Sequence, residues 1–496
     1  MASKQPGRLR IWLSFTAILG LAFVVRLFQI DGQSAWHDEI YTVFACGRPL
    51  DEMLDILIRR DFNPPLHYLL TYGWFALFGY GVIQARLMSL VFGMLAVLFT
   101  GLAGFKLFGA RTGLLAALMA SVSTLGVMFS QEARGYAQLT FFSAASVYFF
   151  LRAAEKRSRR RWILFVACSI GAAYTHYFGV LIPAVIAIFA LLNRRKYLIP
   201  ISWWLLGLLT ALTLYLPWLL SGVVERMAGN QWLTGAARDP STYAKWFSIP
   251  SAVNWFNNGK WFGVNATTPL WLMALGAVLF TLPALYGSRS LFRPASSTEA
   301  AGPDRLSLFL VNSLWLFPLA SIVAAGLLFG LQFNFRYVSF LAWPYYIAAA
   351  KWLADIEVRK YRLAWVLLIL IHSGLGLRAV YFLPYKEDYR SAVAYVAGRR
   401  LAGDCAVFLP SRKWGTEGQF WYVYQRNAQP LRLLDAAAAE SADAGCRRVW
   451  LVWDRTWWLN RDPAPSLAAI KELESSLDRI DKATFFGNEV HLFARR

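Results

Sequence analysis

The stretch that decides the fold is the apolar run Ile11–Ile30, IWLSFTAILGLAFVVRLFQI, with the motif that follows it, Asp31-Gly-Gln-Ser-Ala-Trp-His-Asp-Glu-Ile-Tyr41. The run is as long as a helix that crosses a bilayer. It is too long for the apolar core of a typical secretory signal, Arg26 interrupts it, and no clear cleavage site follows. We therefore predict a retained first span, after which two adjacent carboxylates, Asp38 and Glu39, emerge on the far side.

The composition is that of a membrane protein. Of the 496 residues, 57% are hydrophobic and 16% are charged, whereas soluble proteins have about 45–50% apolar and about 25% charged residues. The net charge of +21 would favour nucleic-acid binding in a soluble protein. Here much of the excess lies in short loops between apolar runs, where it sets orientation. The sequence therefore predicts a mainly α, polytopic membrane protein and argues against nucleic acid as a partner.

Apolar runs and basic loops alternate along the rest of the chain. After Ile11–Ile30 the runs are Ala85–Phe105, Thr112–Phe129, Ala133–Leu151, Trp162–Tyr174, Phe178–Leu192, Pro200–Leu220, Pro269–Tyr286, Leu306–Leu331, Val338–Leu353 and Leu363–Phe382. The basic loops are Lys106–Arg111, Arg152–Arg161, Arg194–Lys196, Arg289–Arg305 and Arg359–Arg362. Because positive loops stay in the cytoplasm, we predict about eleven spans, a cytoplasmic N-terminus and an extracytoplasmic C-terminus, in the plasma (inner) membrane.

The segment Pro64–Tyr80 decides the parity of these spans. If it crossed the membrane, every later basic loop would lie outside, against the positive-inside rule. We therefore predict that Pro65–Phe78 is an external, interfacial helix, with the two prolines at its start. Two large external loops result, at residues 31–84 and 221–268.

Residues 1–383 are thus predicted to form the membrane domain and residues 384–496 a small extracytoplasmic α/β domain. Its predicted elements are an amphipathic helix from Lys386, strands at Asp404–Pro410 and Arg447–Trp453, a helix at Ala464–Lys482 and a terminal strand pair within Thr484–Ala494. It has no nucleotide-binding or hydrolase motif, so no catalysis is assigned to it. Whether Cys405 and Cys446 form a disulfide there is left open.

The external face collects the candidate site residues. They are Trp36, Asp38, Glu39, Tyr41, His67, Arg86, Glu132, Arg134, Tyr136, Arg336 and Tyr337, with Gln131, His176 and Asn334 nearby. Ionisable groups at a membrane boundary are costly, so several on one face favour a functional site. The alternatives are ordinary linker acids for Asp38 and Glu39 and, for Arg86, a helix-end arginine that extends to the interface.

The second large external loop, 221–268, is rich in Trp and Phe. Aromatic side chains of this kind lie at the headgroup level, where a lipid-linked substrate would enter. An interfacial lid packed on the bundle explains them equally well, and the sequence does not decide between the two. Asn265-Ala-Thr267 matches a glycosylation sequon, a triplet that often occurs by chance.

A boundary carboxylate surrounded by cations suits glycosyl transfer from a lipid phosphate. The carboxylate accepts the proton of the acceptor hydroxyl, and arginine, whose planar donors match phosphate oxygens, stabilises the departing phosphate. Asp38 is the predicted base, with Trp36 and Tyr41 to exclude water and stack against a sugar. The phosphate candidates are His67, Arg134 and Arg336. Glu39 is predicted as a second catalytic residue, and Arg86, Glu132, Tyr136 and Tyr337 are predicted as further substrate-binding residues. No cofactor is expected, and no C-x-x-C spacing indicates a metal cluster.

Seven short stretches occur in an order that resembles a known family. They are Trp36–Tyr41, Asn63–Tyr68, Ala85–Ser89, Phe108–Arg111, Gln131–Tyr136, Arg336-Tyr337 with Pro344, and Glu387–Ala392. Together they resemble the membrane-integral GT-C glycosyltransferases of the protein O-mannosyltransferase and aminoarabinose-transferase type, which are family 39-like. The resemblance covers the membrane domain and, more loosely, the external domain.

This resemblance implies a GT-C fold, a polyprenyl-phosphate sugar donor, and an acceptor glycan, lipid or protein bound on the extracytoplasmic side. It implies Asp38 as the base of an inverting transfer, and Glu132 falls where many relatives place an acid. Some GT-C enzymes bind a divalent metal, which is not expected for the aminoarabinose and mannosyl types. Asn63 stands where aminoarabinose transferases have a lysine, which argues against an anionic lipid A substrate.

Two other classes of protein fit the composition less well. A lipid or sugar transporter or flippase predicts an internal repeat and ionisable residues at mid-membrane, but no repeat is visible and the charges gather at one face. A scaffold whose bundle only anchors the external domain would need a single span. Glycosyl transfer therefore remains the main prediction, with transport as the alternative.

Cysteine labelling tests the predicted topology. A cysteine placed at Tyr80 should react with an impermeant reagent from outside, whereas a cysteine at Phe108 should not, because Pro65–Phe78 is not predicted to cross. Labelling of position 108 from outside would show that the parity is wrong.

Overall fold

The computed structural model of the protein describes residues 7–194, 196–197, 199–228, 249–259, 269–288, 303–329, 335–409, 417–425, 431–434, 445–455 and 464–495. Residues 7–382 of this set are almost entirely helical, and the five strands all follow residue 404. Most of the second large external loop, with Trp232, Trp246, Trp261 and the Asn265 sequon, lies outside the described residues, as does Asn334.

The helices of the first part of the membrane domain are α1 Arg8–Leu27, α2 His37–Cys46, α3 Leu50–Arg60, α4 Leu66–Phe78, α5 Val82–Phe108, α6 Ala110–Val122, α7 Thr124–Ser130, α8 Tyr136–Lys156, α9 Arg159–Thr175, α10 Leu181–Leu192, α11 Ile201–Leu220 and α12 Val223–Ala228. The second part contains α13 Ile249–Asn258, α14 Leu270–Gly276, a π-helical turn Ala277–Thr281, α15 Leu282–Ser288, α16 Pro303–Phe329, a 3₁₀ turn Phe335–Leu341, α17 Ala342–Asp355 and α18 Arg359–Phe382.

Each predicted span coincides with one of these helices or with consecutive ones, and the predicted fold class is confirmed. Among the described residues, five helices are long and apolar enough to cross a membrane by themselves: α1, α5, α11, most of α16, and α18. The bent pair α6–α7 makes a sixth. The helix predicted at Pro65–Phe78 is α4; at about 1.5 Å per residue its 13 residues are too short for a bilayer core of about 30 Å.

An arginine on α1 stabilises the break between α6 and α7, which are bent by 59°. The last carbonyls of α6 lack helical partners there. The guanidinium of Arg26 is 1% exposed and donates to the carbonyls of Ala120 at 3.0 Å and Ser121 at 2.8 Å, and to the Ser130 hydroxyl at 3.1 Å. This fixes the height of α7, and therefore of the external loop 131–135 that follows it.

The external domain is a five-stranded mixed sheet with strand order β2-β1-β3-β5-β4. Its elements are α19 Tyr389–Arg399, β1 Cys405–Leu409, α20 Glu417–Tyr424, β2 Arg432–Leu433, β3 Arg448–Asp454, α21 Ala464–Ser476, β4 Leu477–Phe485 and β5 Asn488–Arg495. β1 is parallel to β2 and β3, and β5 is antiparallel to β3 and β4. The predicted strands and the amphipathic helix are confirmed, whereas α20 and β2 were not predicted.

The predicted helix Ala464–Lys482 is wrong in its second half. The helix ends at Ser476, and Leu477–Phe485 forms the edge strand β4, which pairs with β5. Leu477 and Ile480 have a helical spacing, but Ile480 is 55% exposed and the ladder with β5 supplies the backbone bonds. Tertiary pairing overrode the local pattern.

The external domain packs on the first external loop through both apolar and polar contacts. One hydrophobic cluster contains residues of α2 and α4 together with α19, α20 and the sheet. The Tyr424 hydroxyl accepts the Ala35 amide at 2.8 Å, and Arg390 pairs with Asp31 at 2.6 Å. These contacts attach the external domain to the loop that carries Asp38.

Cys405 and Cys446, which are 41 positions apart in sequence, form a disulfide. A loop of this length predicts a stabilisation of about 4 kcal/mol in the chain-entropy view. The variant Cys405→Ser/Cys446→Ser should therefore lower the unfolding temperature of the external domain. Hydrogen exchange in β1 and β3 measures this loss of stability. Cys46 and Cys168 are buried cysteines outside this disulfide. Changing each of them singly to serine controls for the loss of a thiol. An unchanged exchange rate in β1 and β3 would contradict the prediction.

Candidate functional site

Asp38 and Glu39 lie in the first turn of α2, next to each other in sequence but in different surroundings. Successive helical residues point about 100° apart. The Asp38 side chain is 29% exposed, whereas that of Glu39 is 0% exposed. Trp36 precedes the helix in an extended conformation. The two carboxylates therefore have separate functions in the structure.

Asp38 meets a residue that is almost 300 positions away in the chain. Arg336, in the 3₁₀ turn Phe335–Leu341, donates to Asp38 Oδ2 at 3.0 Å. The same guanidinium lies over the Trp36 ring, 4.0 Å from its centre. Tyr337, the next residue, packs against the His176 ring at 5.2 Å. The structure thus joins two of the stretches that the sequence singled out and places His176 beside them.

Arg134 contributes a second cation to this face. Its Nη1 donates to the Thr42 hydroxyl at 3.3 Å and to the Tyr68 hydroxyl at 3.2 Å, and Tyr68 in turn donates to Asp61. Within the described part of the chain, no carboxylate lies within the 4.0 Å ion-pair distance of Arg134. The Thr42 and Tyr68 hydroxyls are its direct partners, whereas the carboxylates of Asp38 and Asp61 stabilise its charge from a greater distance.

His67 is buried on α4 next to the same loop. Its Nδ1 lies 3.1 Å from Gln138 Oε1, and Gln138 donates to Thr175 at 2.8 Å. Burial, together with the charge of Arg134, lowers the pKa of His67 to about 4. The imidazole is therefore neutral at pH 7 and adds no charge for a phosphate. Of the three predicted phosphate candidates, the two arginines keep a positive charge.

The aromatic residues of the motif surround this face. The Tyr41 ring packs edge-on against Tyr68 at 6.2 Å, and Tyr136 packs on Phe129 at 4.7 Å. The Tyr41 hydroxyl and the Trp36 indole N–H are buried and have no hydrogen-bond partner among the protein groups described. Such buried donors are uncommon in proteins. They are available to hydroxyl groups of a ligand.

Glu39 occupies the centre of a buried ionic cluster. Arg86 donates to both of its oxygens, at 2.8 Å and 2.9 Å. Lys386 of the external domain donates to Oε2 at 2.8 Å, and the Ala133 amide donates to Oε1 at 3.0 Å. Lys386 also lies 3.8 Å from Glu132. Glu39 and Glu132 therefore face the inside of the protein, and the sequence-based assignment of Glu39 to catalysis does not fit this geometry.

Arg86 is equally committed to the protein. Besides Glu39, it donates to the carbonyls of Ile30 at 2.8 Å, Gln33 at 2.9 Å and Ser34 at 3.2 Å. All five donors of a guanidinium are thereby used. Since its side chain is 1% exposed, the expectation of an arginine extending to the interface is wrong. Its assignment to substrate binding also disagrees with this geometry, because no donor is left.

The sequence missed three residues of this region. Asp61 receives the Tyr68 hydroxyl and three N–H groups, Gln138 orients His67, and Lys386 completes the ionic cluster. Asn63 donates to Asp61 and so does not replace a phosphate-binding lysine. Each of the three missed residues lies within two residues of a quoted stretch, Asp61 before Asn63–Tyr68, Gln138 after Gln131–Tyr136 and Lys386 before Glu387–Ala392. Within the described residues, no group of three His, Cys, Asp or Glu is placed to hold a metal ion; metal independence stays a prediction.

Replacing Glu39 with Gln should destabilise the protein strongly. Arg86 and Lys386 would remain buried with one carboxylate fewer, and breaking a buried ion pair costs about 3–5 kcal/mol. The unfolding temperature in detergent measures the effect. Glu52→Gln, at an exposed acid of the same external loop, is the control and should change it little. Equal unfolding temperatures for the two variants would contradict the importance of the cluster.

The same cluster predicts a pH dependence. Burial alone would raise the pKa of Glu39, but Arg86 and Lys386 outweigh burial and lower it to about 2. A carboxyl whose pKa is depressed by folding stabilises the protein above its unfolded pKa of about 4.3. This stability should be lost as the pH falls from about 5 to about 2, measured as unfolding temperature against pH. In Glu39→Gln that part of the acid dependence should disappear.

Comparisons with known proteins bear on the family and the fold. Residues 63–220 match the family described as dolichyl-phosphate-mannose-protein mannosyltransferase. The fold is similar to that of ArnT from Cupriavidus metallidurans bound to undecaprenyl phosphate, with 13% identity, a TM-score of 0.59 and 98% of each chain covered. It is also similar to the Archaeoglobus fulgidus oligosaccharyltransferase tethered to an acceptor peptide, with 12% identity, a TM-score of 0.53, and 97% of this chain and 74% of that chain covered. No curated protein sequence matches.

These findings confirm the resemblance predicted from the sequence. The chain has the fold of the GT-C type membrane glycosyltransferases, with an external domain included in the similarity to ArnT. The family match covers α4 to α11 and so includes loop 131–135 with Arg134.

Proposed function

We propose that this chain is an inverting glycosyltransferase that moves a sugar from a polyprenyl phosphate to an acceptor on the extracytoplasmic side. The GT-C fold is the premise, and the observation that carries the proposal is the pairing of the partly exposed Asp38 with Arg336 at 3.0 Å. Next to it, Arg134 donates to the Thr42 and Tyr68 hydroxyls and, among the described residues, has no carboxylate within 4.0 Å. A similar structure, ArnT, is described with undecaprenyl phosphate bound.

The proposed reaction is a single displacement. Asp38 accepts the proton of the acceptor hydroxyl as the acceptor oxygen forms a bond to the anomeric carbon of the donor. The bond between that carbon and the phosphate oxygen breaks, and the polyprenyl phosphate leaves with the bonding electrons. Arg134 and Arg336 stabilise the charge that develops on the phosphate, because fixed cations in a water-poor site act strongly on developing charge.

The burial of the other acids supports inversion. A retaining mechanism needs a second carboxylate as a nucleophile. Among the described residues of this region, Glu39 and Glu132 face the ionic cluster and Asp61 is bound to Tyr68 and to N–H groups. That leaves Asp38 as the carboxylate available for a one-step transfer.

Arg336 is proposed to have two partners in turn. In the unliganded protein it holds the Asp38 carboxylate and stacks on Trp36. A donor phosphate offers the same guanidinium a second set of oxygens, which frees Asp38 to bind the acceptor hydroxyl. The unpaired Tyr41 hydroxyl and Trp36 indole N–H would then bind sugar hydroxyl groups.

The disulfide supports the proposed orientation. Cys405 and Cys446 are bonded to each other, and disulfides persist in oxidising, extracytoplasmic compartments. The external domain, Asp38 and loop 131–135 share one side, because the ionic cluster of Glu39, Lys386 and Glu132 joins them. The positive loops then lie in the cytoplasm, as the positive-inside rule requires.

Replacing Asp38 with Asn should reduce sugar transfer by about 10²–10⁴-fold, the usual contribution of a general base. The readout that needs no knowledge of the sugar is mass analysis of cell-surface glycans in a deletion strain that carries each variant. Asp51→Asn, at an exposed acid in α3 of the same loop, is the matched control. Both variants should unfold at the wild-type temperature, and full modification by Asp38→Asn would refute the assignment.

A further inference from the structure

The external domain contributes a buried side chain to the centre of the catalytic face. Lys386 lies at the start of that domain, and its side chain is 3% exposed. Its ammonium group donates to Glu39 on α2 at 2.8 Å and lies 3.5 Å from the Gln131 carbonyl and 3.8 Å from Glu132. One residue therefore touches both the segment that carries Asp38 and the loop that carries Arg134.

Glu39 completes the connection between these two segments. Its Oε2 accepts from Lys386, and its Oε1 accepts the Ala133 amide at 3.0 Å. Ala133 directly precedes Arg134, and Glu39 directly follows Asp38. The relative position of the proposed base and the proposed phosphate ligand is therefore set by hydrogen bonds through Glu39 and Lys386.

We propose that Lys386 is a positioning residue, through which the external domain holds the Asp38 and Arg134 segments in register. The inference rests on the proposed function only in assigning roles to Asp38 and Arg134. It makes the external domain a structural part of the active site, although none of its described residues is proposed to take part in catalysis. Displacing the domain would separate the two segments, since a buried ammonium cannot leave its carboxylates without cost.

A second contact of the same domain serves as a matched control. Arg390 pairs with Asp31 of the first external loop at 2.6 Å, but the two side chains are 37% and 44% exposed. It touches neither Glu39 nor loop 131–135. Losing this pair weakens the attachment of the external domain but leaves the contacts of Glu39 with Lys386 and Ala133 in place, and exposed pairs contribute little. Comparing variants of Lys386 and Arg390 therefore distinguishes the positioning of the Asp38 and Arg134 segments from the attachment of the external domain.

Hydrogen exchange of the full-length protein in lipid nanodiscs tests the proposal without any substrate. In Lys386→Met, peptides covering 131–135 and 37–42 should exchange at least about tenfold faster than in the wild type, because loop 131–135 loses the Lys386 contacts with Gln131 and Glu132 and Glu39 loses one of its two cations. Arg390→Met should leave exchange in these peptides within about twofold of the wild type. Lys386→Arg, which keeps the charge, should restore most of the protection.

Charge and geometry are separated by a double variant. Lys386→Met leaves one uncompensated negative charge, which Lys386→Met/Glu132→Gln removes. If Lys386 acts by holding the two segments in place, the double variant folds and its residues 131–135 still exchange rapidly. The double variant also replaces Lys386→Met in the experiment if the single variant does not accumulate in cells. Wild-type protection in the double variant, or equally fast exchange in Arg390→Met, would overturn the proposal.

Surface glycans of the deletion strain give the functional readout. Lys386→Met and the double variant should lose at least about tenfold of the modification, and Arg390→Met should keep it. Full modification by Lys386→Met together with fast exchange would show that the register is not needed for transfer and would overturn the positioning role. If instead Asp38→Asn kept full activity, the proposed function would fail while the exchange result remained interpretable.

Discussion

The buried carboxylate of Glu39 is the constraint on which the arrangement of the external face depends. A carboxylate removed from water is tolerated only when cations and N–H groups surround it, and here the partners come from three parts of the chain: Arg86 on α5, the Ala133 amide, and Lys386 of the external domain. Because these partners must converge on one group, α2, loop 131–135 and the external domain have a single relative position. The position of Asp38 is fixed because Asp38 directly precedes Glu39 in α2.

This division between adjacent acids resolves a question that two loop carboxylates always raise. Glu39 stabilises the structure and makes no contact that a substrate could reach, whereas Asp38 is partly exposed and pairs with Arg336. A helix separates the two because successive residues point in different directions. The same logic applies to the arginines: Arg86 has all its donors in use, whereas Arg134 is held by hydroxyl groups alone. Burial and hydrogen-bond partners, rather than residue type, thus distinguish Glu39 from Asp38 and Arg86 from Arg134.

Much of the fold followed from local patterns, and its errors came from long-range pairing. Each apolar run became a helix, and the short helix after Pro64-Pro65 was found as α4. Ala464–Lys482 was misassigned because the ladder between β4 and β5 decides its second half. The partners of Arg26 could not be foreseen either, since they are the free carbonyls of a helix break in another span. Lys386 was marked only by its place beside the Glu387–Ala392 stretch, because its partners are residues more than 250 positions earlier.

The sequence by itself determined the class of protein, the approximate positions of its helices and the resemblance to GT-C glycosyltransferases, and it predicted Asp38 as the base. These conclusions depend on hydrophobic length, loop charge and motif order, which are properties of neighbouring residues. The tertiary structure alone decided which acid is buried, which arginine has hydroxyl groups rather than a carboxylate as its direct partners, and how the external domain contacts the site. Those properties depend on electrostatic pairing between segments that are distant in the chain, and the cost of an unpaired buried charge selects one arrangement.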